Sequence, residues 1–420
     1  MTRTDPRIAI IGSGPAGLMA ATEALRAGAR VEVFERRRGL GRKLLIAGSS
    51  GLNVSHDAPI EEFLQFYRER DPASALRLEP VLRDYPPEKW LSFLRSLGHE
   101  VFVGTSRRWF VREMKASKLL SSWTGSIQQA GGVFHPELEL VDFRSESSSG
   151  SSGSSSGAPP RPRVLLRAPD GAEQEQEFDA VIFAMGGGSW EDQPPPWPAI
   201  FRAHGLAVAP FHPSNVGWEV DFPEAFVREA EGKPLKNCVL RTHLGEKQGE
   251  LVITRYGIEG TPAYFVGAAG EARLNLRPGV APEEFLRSLS RPLRENLSPL
   301  RRLKKLGGLS EAALALVFHL IPETERKAVH GDLRRLATIV QDFPLTLRAP
   351  RPLEEAISSR GGLEWSELDE SLLLRRFPGF FAAGEMIDWD APTGGFLIQA
   401  SVALGARAGV KSVEYSRRKS

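Results

Sequence analysis

Gly12-Ser13-Gly14-Pro15-Ala16-Gly17 directly follows the apolar run Arg7 to Ile11 and directly precedes a helix-patterned stretch, Leu18 to Arg26. In that setting each glycine has its own mechanical task. Gly12 permits a tight turn, Gly14 lets the backbone approach a pyrophosphate, and Gly17 lets helix pack closely on strand, while the helix start adds N–H donors and the positive end of its dipole. Glu35 closes the next β-branched run, Val31 to Phe34, 18 residues after Gly17. A carboxylate there accepts both hydroxyl hydrogen bonds of an adenosine ribose and disfavours a 2′-phosphate. The chemistry these residues suit is dinucleotide binding; the alternative is a purely structural strand-to-helix turn.

A second group lies near the other end of the chain. Gly384-Glu385-Met386-Ile387-Asp388 ends the apolar run Phe380 to Ala383, and its carboxylates suit ribityl hydroxyls. Gly394-Gly395-Phe396 opens a helix-like segment, Gln399 to Ser412, whose first N–H groups suit the electron-rich pyrimidine end of a reduced flavin. The competing reading makes these a turn and an ordinary packing helix. A second GxGxxG is absent, so a nicotinamide dinucleotide would bind only transiently.

The elements that must position these groups follow from the pattern along the chain. Arg7 to Glu35 reads as one βαβ unit. A basic, glycine-punctuated loop runs from Arg36 to Asn53, followed by helical stretches that include Glu61 to Arg70 and Glu88 to Leu97. Alternation resumes from Gly132 to Phe143, and Ser145 to Gly157 is almost wholly Ser and Gly, which reads as a flexible hairpin tip. Val164 to Arg167 and Phe178 to Ala184 read as strands, the latter returning to the first sheet. The expected organisation is an α/β, Rossmann-like dinucleotide domain from both chain ends: residues 1–190 and a returning strand and second part, 343–420. Between them fall an inserted β-rich domain, 191–280, and a helical subdomain, 281–342.

Composition narrows the classes. The 420 residues carry 54 Lys+Arg against 52 Asp+Glu and are 41% hydrophobic, which suits a soluble globular protein with a substantial core and gives bulk charge no preference for nucleic acid or membrane. The patch Arg301, Arg302, Lys304, Lys305 reads as a solvated helix face. With Cys238 the single cysteine, an internal disulfide, a four-cysteine metal site and a dithiol relay are all impossible, and the setting reads as cytoplasmic. Neither a signal peptide nor a membrane span is expected.

Taken together the motifs resemble the BaiN/YhiN-like NAD(P)/FAD-dependent oxidoreductases, a bacterial branch of the glutathione-reductase-like flavoproteins. The resemblance rests on Gly12 to Gly17, on Gly41-Arg42-Lys43-Leu44-Leu45-Ile46-Ala47-Gly48 leading to Asn53, on Ala184 to Trp190, on Gly249 to Pro262 and on Ala383 to Gln399. It implies FAD as cofactor. Carried over by position, Gly12, Gly14, Ala16 and Gly17 would hold the pyrophosphate, Glu35 and Arg36 the adenosine, and Lys43, Gly48, Ser49 and Asn53 the ribityl and flavin. Leu140 would offer backbone contacts to adenine, Ala184 and Gly186 would pass beneath it, and Gly384, Glu385, Asp388, Gly395, Phe396 and Ile398 would complete the flavin pocket. Many members have Gly-Gly-Gly-Arg-Cys-Asn where this chain has Gly48-Ser49-Ser50-Gly51-Leu52-Asn53. The missing Arg and Cys point to a distinct subgroup.

The expected activity is hydride transfer between flavin N5 and a small organic substrate, with NADH or NADPH as a transient electron donor. Catalytic candidates are Lys43, which suits negative charge near N1 or N5, His56 as acid/base, and Arg255, which with Thr254 and Tyr256 lies in a loop that the resemblance places on the substrate side. Each has a plain alternative as a paired, core or interface residue. Three rival readings stay open: an FAD oxidase using oxygen, a non-catalytic or RNA-directed flavoprotein, and a Rossmann protein using NAD alone.

Overall fold

The apolar run after Arg7 forms strand β1 (Arg7–Ile11), and the glycine turn leads into helix α1 (Pro15–Arg26), whose proline sits at the start, where a missing N–H costs nothing. In the computed structural model, which describes residues 5–48, 51–104, 106–145, 161–191 and 193–419, the chain divides into two units. One is made of residues 1–212 and 359–420, the other of residues 213–358.

In the first unit β2 (Arg30–Glu35) pairs in parallel with β1. The stretch expected to be loop after Arg36 contains a helix, α2 (Arg42–Ala47), whose six residues are too few to show a helical period. It is followed by β3 (Asn53–His56), α3 (Ile60–Arg70), α4 (Pro72–Asp84), α5 (Pro87–Ser96), β4 (Val101–Val103), β5 (Arg108–Val111), α6 (Ala116–Gln129) and β6 (Val133–Pro136). Strands β7 (Glu139–Ser145) and β8 (Pro162–Arg167) form a hairpin with Ser145 opposite Pro162, and β9 (Glu173–Glu177) joins β8. Residues 146–157 of the expected tip lie outside the described residues. Strand β10 (Ala180–Phe183), helix α7 (Trp197–Ala203) and strand β11 (Val208–Ser214) complete this pass.

The second unit holds an antiparallel sheet of β12 (Trp218–Glu219), β13 (Pro234–Thr242), β14 (Gly245–Ile253), β15 (Gly257–Glu259), β16 (Gly270–Asn275) and β17 (Phe343–Leu347), in the order β12-β15-β14-β13-β16-β17. Its helices are α8 (Glu224–Ala230), α9 (Thr261–Tyr264), α10 (Pro282–Leu289), α11 (Pro299–Leu306), α12 (Glu311–His319), α13 (Glu323–Gly331) and α14 (Leu333–Gln341). Helices and sheet share one buried core that runs from Trp218 through Leu303 and Leu336 to Leu347. Strand β17 was expected to belong with the returning half of the chain. It pairs instead with β16 and buries Phe343, Leu345 and Leu347 here, because an alternating apolar strand carries no mark of the sheet it will join. Cys238 is buried in this core, where burial pushes its thiol up to about 11 and leaves it a small apolar filler rather than a redox group.

The chain returns through β18 (Ser358–Leu363), which pairs with β11, then β19 (Phe380–Ala382) and the long α15 (Phe396–Lys419). The principal sheet of the first unit has the order β19-β10-β1-β2-β6 with every pair parallel. Its central strands are buried on both faces, which explains their unbroken apolar runs. Because β1 lies between β2 and β10, the connections at its carboxyl end diverge and leave a crevice where open α/β sheets bind ligands. Helix α15 packs directly on α1: a Cβ on Gly405 would lie 2.1 Å from Ala16 O, and one on Gly409 2.5 Å from Ala20 O. The small-residue stripe of the last helix therefore fixes the helix that begins at the glycine turn. No helix among the described residues is long and apolar enough to cross a membrane.

Candidate cofactor site

The turn between β1 and α1 is close-packed except at one glycine. Gly12 has φ +110°, and a Cβ there would lie 2.2 Å from Ala184 O at the exit of β10; a Cβ on Gly17 would lie 2.0 Å from Gly12 O. Around Gly14, its chain neighbours aside, no atom of the described residues lies within 4 Å of the corresponding position. Gly14 is also the N-cap of α1, and no side chain among the described residues caps the helix. Ala16 is buried beside it. The turn thus presents a helix start with room before it, the arrangement that receives a phosphate.

Glu35 is tied to the same turn. Its Oε2 accepts hydrogen bonds from Ser13 N (3.1 Å) and Ser13 Oγ (2.5 Å), and its Oε1 accepts from Arg37 N (3.0 Å). Ser13 Oγ in turn accepts from Gly41 N at 3.0 Å. A carboxylate has about four acceptor sites, so three bonds leave capacity for a ribose hydroxyl.

The loops after β2 and β10 are joined by charge. Glu191 accepts from Arg36 and Arg37, each at 2.6 Å, with Arg42 at 3.9 Å, while Arg42 also donates to Trp190 O at 2.5 Å. Burial pushes the Glu191 carboxyl up, but Arg37, Arg36 and Lys43 outweigh it and hold it below the usual carboxylate range. Lys43 donates to Gly187 O at 2.8 Å and stands 3.6 Å from Glu385. Glu385 accepts from Ser359 N (3.1 Å) and Gly187 N (3.4 Å), and Gly188 N donates to Ser359 Oγ (2.8 Å). Gly186, with φ +74°, passes beneath the Lys43 ammonium.

The late segment reaches the same place. A Cβ on Gly384 would lie 2.6 Å from Ala16 Cβ, so the exit of β19 abuts the start of α1. Asp388 accepts from Gly361 N at 2.8 Å, and burial pushes its carboxyl up. Gly395 rests on Ser55, and Gly394 on the Arg108 guanidinium, where a Cβ would lie 3.1 Å from Nε. Phe396 is buried in a ring cluster with His56, Phe63, Phe66 and Tyr67, and its carbonyl accepts from the Tyr67 hydroxyl at 2.8 Å. Ile398 is half-buried on the next turn.

The remaining expected residues fall as follows. Asn53 and His56 lie on β3, each with a buried polar atom, Oδ1 and Nδ1, that has no partner among the described residues. Burial, with Arg107 and Arg108 nearby, lowers the His56 pKa. Gly48 packs on Ala116, Leu140 is buried opposite Leu166, and Ala184 abuts the glycine turn. Ser49 lies outside the described residues. In the other unit the Arg255 side chain is 83% exposed, with Glu231 at 3.9 Å. There Thr254 Oγ1 accepts from Gly257 N, and Tyr256 donates to Glu259 under the Arg351 guanidinium.

Sequence reasoning missed Ser189, Glu191, Ser359, Arg42 and Arg108. Ser189 lies within the segment Ala184 to Trp190 already singled out and Glu191 adjoins it, but no local pattern marks a serine whose hydroxyl is buried without a partner among the described residues, or a glutamate that gathers arginines. The open space at the Gly14 helix start, with the unpartnered buried oxygen of Asn53, fits a phosphate-bearing group that also offers hydrogen-bond donors.

A family profile described as HI0933-like protein Rossmann domain matches residues 6–411. A 3-dehydro-bile acid delta(4,6)-reductase of Clostridium scindens is 25% identical over 436 aligned positions, covering 97% of this chain and 99% of its own. Three solved structures share the fold. Escherichia coli quinol fumarate reductase FrdA aligns with a TM-score of 0.52 at 15% identity, over 99% of this chain and 71% of its own. The 3-ketosteroid-delta4-(5alpha)-dehydrogenase of Rhodococcus jostii gives 0.51 at 15%, over 98% of each chain. The 3-ketosteroid delta1-dehydrogenase of Sterolibacterium denitrificans gives 0.53 at 11%, over 98% and 100%. The match across residues 6–411 makes the chain a member of the HI0933-like Rossmann family, the BaiN/YhiN-like flavin-dependent oxidoreductases.

Proposed function

We propose that the protein binds FAD in the unit made of both chain ends and exchanges hydride between the flavin and a small organic substrate, with NADH or NADPH as electron donor. The observation that carries this reading is the convergence on the α1 start: Gly14 alone of the three motif glycines faces open space, Gly384 at the exit of β19 abuts Ala16, and the adjoining Glu385 carboxylate pairs with the Lys43 ammonium from the other end of the chain. The Clostridium relative, named as a reductase of a 3-dehydro-bile acid, supports a small-molecule substrate. A cytoplasmic setting belongs to the same reading and is supported by the single, buried cysteine.

Bound FAD would supply two-electron exchange with carbon; the chain supplies orientation and electrostatics. The turn from Gly12 to Gly17 would hold the pyrophosphate, and Glu35 the adenosine ribose. Glu385 and Asp388 would face the ribityl chain, with Asn53 and the Gly395–Ile398 segment at the ring. Lys43 keeps a positive charge at this end of the crevice, fixed by Gly187 O and Glu385. His56 is held neutral near pH 7 by burial and two arginines, which suits a hydrogen-bonding role more than a standing cation. The test is anaerobic mixing of the FAD-loaded protein with NADH and with NADPH. Bleaching of the flavin band by either supports the donor assignment, and no bleaching with both overturns it.

A further inference from the structure

The loops that follow β2 and β10 meet across the turn that would hold the pyrophosphate. Strand β1 lies between those two strands in a parallel sheet, so the loops leave the sheet at the same edge and reach each other by crossing the carboxyl end of β1. Their meeting is dense. Lys43 donates to Gly187 O, Arg42 to Trp190 O, and Arg36 and Arg37 both to the same Glu191 oxygen. One carboxylate takes most of the charge in this seam: the Glu191 side chain is 8% exposed, while those of Arg36, Arg37 and Arg42 are 31–34% exposed.

We propose that Glu191 is a positioning residue for the cofactor cradle, drawing the β10 loop onto the β2 loop across the phosphate turn and thereby retaining the dinucleotide. An exposed ion pair contributes little, but a nearly buried carboxylate with two charge-assisted hydrogen bonds is a stronger link. The same β10 loop carries Ser189, whose hydroxyl is fully buried without a partner among the described residues.

This inference rests on the FAD reading above, and the experiment separates the two. Wild type, Glu191→Gln and Glu191→Asp are loaded with FAD, and release is followed by the rise of free-flavin fluorescence after dilution, at low and high salt. Glu191→Gln is expected to release FAD roughly tenfold faster or more, the effect of losing charge-assisted hydrogen bonds at one residue. Its apoprotein should melt below wild type yet stay folded at the assay temperature, and Glu191→Asp should recover part of the retention. Release from wild type should quicken with salt. Should Glu191→Gln not yield folded protein, Arg37→Gln must show the same acceleration. FAD bound by wild type and released at the same rate by the variants overturns this inference alone. A wild-type protein that takes up no FAD overturns both it and the proposed function.

Discussion

The Lys43 ammonium stands 3.6 Å from the Glu385 carboxylate while donating to Gly187 O, so three distant stretches of chain meet at one positive charge. Each of the three follows an element that ends at the carboxyl edge of the principal sheet. Replacing Lys43 by Met removes the charge and leaves the apolar stem. FAD affinity is expected to fall about tenfold, the scale of one charge-assisted hydrogen bond, and the reduction potential of bound flavin to become more negative. Fluorescence titration and a redox titration check the two effects separately.

The motif glycines should separate folding from binding. Gly12→Ala places a Cβ 2.2 Å from Ala184 O at a left-handed φ, and the protein is expected to lose several kcal/mol of stability or fail to fold. Gly14→Ala meets no atom within 4 Å and has φ −71°, so apoprotein stability should change by less than about 1 kcal/mol. FAD binding should nevertheless be lost, because the new methyl occupies the space before the helix start. Thermal unfolding of the apoprotein alongside FAD titration distinguishes these outcomes.

Phe396 and Tyr67 hold the start of α15 in place. Phe396→Ala empties a buried ring cluster and is expected to cost about 3–5 kcal/mol. Tyr67→Phe keeps the ring and removes one hydrogen bond to the Phe396 carbonyl, which as a helix acceptor keeps its intrahelical partner, an expected cost of about 0.5–1.5 kcal/mol. Chemical denaturation of both variants gives the comparison.

The pH dependence of stability has a sign set by His56. Its folded pKa is lowered by burial and by Arg107 and Arg108, with Glu62 and Asp57 opposing. The unfolded chain therefore takes up the proton first as pH falls through about 6.5, and the stability that neutral His56 contributes is present above that value and lost progressively down to its folded pKa. His56→Gln should flatten this part of the stability profile. Unfolding midpoints measured from pH 8 down to pH 5 check it; an unchanged slope in the variant contradicts it.

Much of this site was legible in the sequence because its signals are local. The turn from Gly12 to Gly17 and the acid at Glu35 sit at fixed offsets from a strand and a helix, and the late glycines stand beside an apolar run. Helix α2 was hidden by its shortness, and the sheet membership of β17 by the sameness of alternating strands. Glu191 was invisible for another reason. Its arginines lie 155 and 154 residues away, and pairing at that separation is decided by sheet order, not by any neighbouring residue. Ser13 illustrates the intermediate case: it stands inside the motif, yet its bond to Glu35 appears only once β1 and β2 are side by side.

The measurement that tests the central claim most directly is the visible absorbance spectrum of the purified protein, with any bound cofactor released by heat and identified. The account predicts twin flavin bands and released FAD, or their appearance when the apoprotein is given FAD. A colourless protein that takes up no added FAD would contradict it.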